Sequence, residues 1–368
     1  MFVSAILVVG DWPSAKHDLT GRKNALQPVH TPIVCTEILG ESVLQRTIQR
    51  LRKSGIHAIT VMADNSIHLP ECLQEDGTTI VRRSLDRRSM AEMIAQQSLM
   101  GVEMTLMMRV AAYIEFDLAG IIRCHQAQAG ILTRARDKNG PLELWMMGAR
   151  AIRHAGMGLN SIAAMETAPD SPYLVTGYVN RLNDAHDVRR LVMDSLTGRC
   201  ELKPCGTEIR PGVWAGESAS IHSCARIVAP AFIGRRTKVR SSALITRGSS
   251  LERDCVIERN TVIEDSSILS FSHLGQDLDV SHAVIDGSRF VHLRRNIAVT
   301  FDDAKLFSRN ERSSIQQMWR TLRAQNPAKY KGPFEEESVG IWTPDVFAPA
   351  EAPVTMPVSA LSLPRAEI

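Results

Sequence analysis

Gly10 closes the apolar run Val3-Ser4-Ala5-Ile6-Leu7-Val8-Val9, and Asp11 follows it. In a parallel sheet the carboxyl ends of the strands bound the ligand crevice, so Gly10 and the segment after it mark the expected site. Two carboxylates, Glu115 and Asp117, stand two residues apart and could hold a cation. Acids at the exposed start of a helix, where they face the positive end of its dipole, explain the same pair. Four arginines (Arg82, Arg83, Arg87, Arg88) form the densest basic cluster, readable as a solvated loop or as a phosphate contact. His222, His273, His282 and His292 are candidates for the general base that acyl transfer needs. Their spacing also fits surface and termination positions. The seven cysteines include no CxxC pair, which argues against a zinc ribbon.

The elements that must carry these groups alternate along the first two hundred residues. Val3 to Gly10 reads as a buried strand and Val43 to Ser54 as an amphipathic helix ended by Gly55. Ala58 to Met62 is a second strand, and Ser89 to Met100 a helix with Ser89 as its cap. Thr105 to Ala112 is a strand, Leu118 to Ala129 a helix, and Ile131 to Ala135 and Leu142 to Met147 are strands. The alternation implies a mostly parallel sheet covered on both faces.

A six-residue repeat follows. Stepping by six from Ile209 gives Ala215, Ile221, Ile227, Ile233, Val239, Ile245, Leu251, Ile257, Ile263 and Leu269. Four residues after each comes a residue that is small in nearly every case, among them Ala219, Ala225, Ala231, Thr237, Ala243, Ser249, Cys255 and Thr261. Such a period is the mark of a parallel β-helix in roughly four coils, with aliphatic residues stacked inside and small ones at the corners. After Leu269 the repeat resumes at Leu278, Val284 and Phe290, as an insertion of three would produce. His273 then falls on a corner. Exposed coil faces commonly join subunits, so a homo-oligomer through the β-helix is expected.

An α/β domain followed by a hexapeptide coil resembles the sugar-nucleotide pyrophosphorylases, the nucleoside-diphosphate-sugar nucleotidyltransferases. Leu39-Gly40-Glu41-Ser42-Val43-Leu44 with Lys53-Ser54-Gly55-Ile56 resembles the family's first helix. Phe116-Asp117-Leu118, Cys124-His125-Gln126 and Gly130-Ile131-Leu132-Thr133 resemble the helix and strand beyond its metal site. Gly177-Tyr178-Val179-Asn180 resembles a later strand that ends near the sugar. The resemblance implies a Rossmann-like nucleotidyltransferase domain at 1–205 and a left-handed β-helix at 206–300. It implies transfer of a nucleotidyl group from a nucleoside triphosphate to a sugar 1-phosphate, with Mg²⁺ if the chain is catalytic, for polysaccharide or glycoconjugate precursors. Gly10, Asp11, Gly177 and Asn180 are its nucleotide- and sugar-binding positions, and Asp117 with Glu115 its metal candidates.

The signature is incomplete. The family's phosphate-binding loop reads Gly-x-Gly, then Thr or Ser, then Arg; from Gly10, Trp12 stands at its second glycine and Ser14 at its arginine, while Pro13 removes an N–H from the phosphate cradle. Lys16, Arg22 and Lys23 are the remaining basic candidates for a catalytic role from a shifted loop. Ala111 occupies the metal aspartate's place and Val110 its glycine. Two readings follow: a divergent nucleotidyltransferase, or a non-catalytic binding or regulatory relative. A hexapeptide acyltransferase is a minor third.

Composition constrains partners. A net charge of +3 in 368 residues gives no reason to invoke nucleic acid. The run Phe2 to Val9 is too short to span a membrane and lacks a basic leader, so a reduced, cytoplasmic protein is expected. A helical extension at 301–331, with an apolar stripe of Ile315, Met318, Trp319 and Leu322, precedes a proline-rich tail at 332–368 expected to be largely disordered.

Overall fold

The computed structural model describes residues 2–10, 32–70, 73, 77–128, 132–150, 153 and 172–309. Asp11, Lys16, Arg22 and Lys23, the stripe at Ile315 to Leu322 and the tail at 332–368 lie outside them.

The N-terminal region is an α/β unit built on a seven-stranded, parallel-rich sheet. Its order is Tyr173–Leu174, Leu132–Asp137, Gly140–Gly148, Met104–Arg109, Val3–Val9, Ala58–Ala63, Thr79–Arg82. Val3–Val9 lies at the centre of a parallel group, between Met104–Arg109 and Ala58–Ala63. Gly140–Gly148 runs antiparallel to both of its neighbours.

Alternation along the first strand separates two cores. Ala5, Leu7 and Val9 face one side with Val43, Leu44, Ile48 and Leu51 of helix α1 (Val43–Lys53). On the other side Ile6 and Val8 meet Met90, Met93 and Ile94 of helix α2 (Arg87–Leu99). Burial on both faces is why this strand reads as unbroken hydrophobics. Helices α3 (Leu118–Ala127) and α4 (Ala185–Leu196) add Leu118, Ile121, Val188, Leu191 and Val192 to the first core.

Three helix starts are fixed by side chains, that of α4 by Asp184, whose carboxylate accepts the N–H groups of His186 and Asp187. Ser42 accepts the N–H of Gln45, and the Gln45 side chain accepts the N–H of Ser42, a reciprocal cap on α1. The cap of α2 is Asp86 rather than Ser89. Its carboxylate accepts the Ser89 N–H at 2.7 Å, and the helix begins two residues earlier than the sequence pattern implies.

From Val213 the chain makes short strands that stack in three parallel series. Val213 pairs with Ala231, Ser220 with Lys238 and Arg226 with Leu244, each 18 residues on, an arrangement compatible with a β-helix. The inward residues Ile227, Ile233, Val239, Ile245, Leu251, Ile257 and Ile263 form one core. Most corners are turned by a residue in left-handed backbone directly before the small one. Arg236, Ser242, Asp254 and Asn260 take this role ahead of Thr237, Ala243, Cys255 and Thr261. A sharp inward turn leaves no room for a larger side chain after it.

The repeat does not run to Leu269. Leu251 pairs with Ile268, so the inward step from Ile263 is five residues. Ile268, Leu274, Val280 and Ile285 continue the core, in place of Leu278, Val284 and Phe290. The missing residue is lost at the corner Asp265–Ser266, and the corner at His282–Ala283 is shortened in the same way. Leu269 instead turns outward to meet Ala185 of α4 with Val284, Val291 and Leu293. His273 accordingly lies in the strand Ser272–Leu274, while His282 turns a corner.

The antiparallel strands Arg289–His292 and Ile297–Thr300 close the stack, and Phe307–Arg309 pairs antiparallel with Ser272–Leu274. No helix among the described residues is long and apolar enough to cross a membrane.

Candidate functional site

Gly10 sits at the carboxyl end of the central strand with φ +131°, a backbone that side chains rarely adopt. A Cβ there would also come within 2.6 Å of Leu85. The Gly10 carbonyl accepts the Arg109 Nε–H at 2.8 Å, and Arg109 Nη1 reaches both carboxylate oxygens of Glu143 at 2.9 and 3.1 Å. A neutralised guanidinium thus stands beside the strand end. Sequence reading missed Arg109, although an arginine closing the apolar run Thr105 to Met108 was the available signal. Next to it, Val110 continues the ladder through its N–H to Val8 O (2.8 Å), and half-buried Ala111 presents no ligand side chain.

Glu115 and the Gly177–Asn180 segment come together. Val179 pairs with Ile114 and Asn180 with Tyr113, and the Glu115 N–H donates to Tyr178 O at 2.8 Å. Gly177 passes so close that a Cβ would lie 2.1 Å from the Glu115 carbonyl oxygen. The Glu115 carboxylate is already engaged: one oxygen accepts the Tyr113 hydroxyl at 2.9 Å and the Glu201 N–H at 2.6 Å. Arg50 of α1 donates to the same Tyr113 hydroxyl at 2.9 Å.

Asn180 is buried and directed toward α4. Its Nδ2 donates to Asp187 O at 2.9 Å, and its Oδ1 accepts the Leu182 N–H at 3.0 Å. Beside it, Tyr178 donates to Asp194 at 2.7 Å, and burial pushes its hydroxyl pKa up. Asp117 lies at the start of α3 without capping it, largely exposed and 3.3 Å from Arg123.

A Mg²⁺ site needs several oxygens converging on one octahedral centre. The described residues do not fit it. Glu115 is held by two donors, Asp117 pairs with an arginine, and Ala111 brings no oxygen. Among the described residues no group of three or more His, Cys, Asp or Glu side chains is set to hold a metal.

The densest buried polar chemistry lies where the hairpin Glu37–Ser42 meets the coil. Glu37 contacts Arg253 at 3.1 Å, Arg235 at 3.4 Å and Ser270 at 3.1 Å. Burial pushes its carboxyl up, and the two guanidinium groups oppose that shift. Glu252 is wholly buried and accepts the N–H groups of Leu39 (2.7 Å) and Gly40 (3.0 Å). Burial raises its pKa to about 8 against the pull of those donors. A second junction centres on Arg189 of α4, which meets Asp265 at 2.7 Å and Gly248 O at 2.7 Å. Asp265 also meets His282 Nδ1 at 2.5 Å.

No protein-family model matches this chain, and no curated protein matches it.

Proposed function

We propose that this chain is a sugar-nucleotide pyrophosphorylase-like protein, a Rossmann-like α/β domain followed by a left-handed β-helix, that works as a binding or regulatory subunit. What supports the architecture is the combination of a parallel-rich sheet with an 18-residue coil of short strands. What supports the non-catalytic reading is above all the commitment of Glu115, whose carboxylate takes two internal donors. Ala111 leaves the adjacent strand end without an acid. Arg109, balanced by Glu143, has little free charge with which to stabilise a leaving pyrophosphate. The strand end at Gly10, with Asp11 and the basic residues Lys16, Arg22 and Lys23 after it, is the proposed place for a nucleotide or sugar phosphate. In this reading nucleoside triphosphate or nucleotide sugar is a bound signal, and Mg²⁺ has no catalytic part.

The test is pyrophosphate release by the folded, full-length protein across nucleoside triphosphates and sugar 1-phosphates with Mg²⁺ or Mn²⁺. Calorimetric titration of the same compounds runs in parallel. Saturable binding without turnover is expected. Turnover abolished by a chelator would establish an active nucleotidyltransferase with a rebuilt site, and acetyl-CoA binding would favour the acyltransferase.

A further inference from the structure

The eight-stranded sheet ends on Ile297–Thr300, which pairs on one side with Arg289–His292 and, among the described residues, with nothing on the other. An unprotected edge strand is a template for another strand. Natural edges are usually blunted by charge, proline or a bulge. This one reads Ile-Ala-Val-Thr, with Ile297 49% and Val299 42% exposed.

The ladder fixes which groups are free. The Phe301 N–H donates to Ser288 O at 2.9 Å, so Val299 and Phe301 spend their backbone groups inside the hairpin. By the alternation of an antiparallel pair, Ala298 and Thr300 turn theirs outward.

The flanks identify the occupant. Exposed Arg294 and Arg295 lie in the turn at 293–296 that leads into the strand, and exposed Asp302 and Asp303 follow it. Among the described residues no ion pair engages Arg294, Arg295 or Asp302. A second copy running antiparallel lays each basic end on the other's acidic end. A two-fold axis through Val299 sets Ala298 opposite Thr300, where both have free backbone groups, and brings the turn that carries Arg294 and Arg295 toward the other copy's acidic end.

We infer that Ile297–Thr300 is a homodimer edge, joining the sheets of two copies through antiparallel pairing centred on Val299. The inference does not depend on nucleotide chemistry. Opposite charges across such a pair attract and like charges repel, which makes the interface readable by charge exchange.

The experiment is sedimentation velocity of the full chain over a wide concentration range. The expected result is a monomer–dimer equilibrium. Val299→Lys, which sets two lysines together at the axis, weakens it by up to about fivefold. R295D alone and D303R alone each weaken self-association similarly. Mixing the two restores it, because opposite charges then meet at both ends; this rescue separates a lost contact from a misfolded variant. A monomer mass at every concentration overturns the inference, as does a dimer that none of the three substitutions weakens.

Discussion

Glu252 caps the Leu39–Gly40 turn from 213 residues away in sequence, its Oε1 2.7 Å from the Leu39 nitrogen. Leu39 and Gly40 both have positive φ, so the turn leaves two N–H groups pointing into a buried space that this one carboxyl satisfies. The relation ties the hairpin before α1 to the coil.

Because the folded pKa of Glu252 is raised to about 8, the native state binds this proton more tightly than the unfolded chain does. Its contribution is full below the ordinary carboxylate pKa and is lost as pH rises toward 8. Glu252→Gln is expected to flatten the fall in stability over that window. Glu252→Ala, which strands two N–H groups, is expected to cost about 1–3 kcal/mol for each. Urea denaturation from pH 5 to pH 9 reads both.

Arg189→Met tests the second junction. Burial favours the neutral form of Asp265, but Arg189 and His282 outweigh it and hold the carboxyl below its usual range. That stabilisation is present above the ordinary carboxylate pKa and lost as pH falls through the depressed value. Removing the buried guanidinium is expected to cost about 3–5 kcal/mol near neutrality. The double variant with Asp265→Asn should recover part of the loss in chemical denaturation.

Gly177→Ala drives a Cβ into the Glu115 carbonyl, a backbone atom that cannot swing aside. The expected cost is about 1–3 kcal/mol, the usual penalty for overpacking. A melting temperature equal to that of the parent protein would mean that the segment moves freely relative to Glu115.

Leu274 and Leu278 distinguish the shortened corner from an uninterrupted repeat. Leu274 lies in the coil core, and Leu278 is only partly buried against it. Leu274→Ala is expected to cost about 2–5 kcal/mol and Leu278→Ala clearly less. An uninterrupted repeat with a three-residue insertion would reverse that order.

Much of the architecture is written in one dimension. Burial on both faces makes Val3–Val9 continuously apolar, and the coil repeats one environment every six residues, so both leave a pattern any window along the chain contains. The boundary of α2 escaped because Asp86 and Ser89 are both acceptable caps, and only the turn geometry selects the aspartate. The five-residue step at Ile263–Ile268 escaped for a related reason. Ile268 and Leu269 are adjacent aliphatics, and the choice between them is made by α4, whose Ala185 covers Leu269 and whose Arg189 occupies the shortened corner.

The sequence by itself determined the strand ending at Gly10, the helix α1 and the coil from its small corners, because each rests on periodicity and local sterics. The tertiary structure decided which polar residues have partners. Arg109 with Glu143, Glu115 with Tyr113 and Glu201, Asn180 with Asp187, and Glu252 with Leu39 are pairings set by where buried charge and hydrogen-bonding groups converge on folding. No spacing along the chain encodes that convergence, since desolvation acts on groups that only the folded chain brings together.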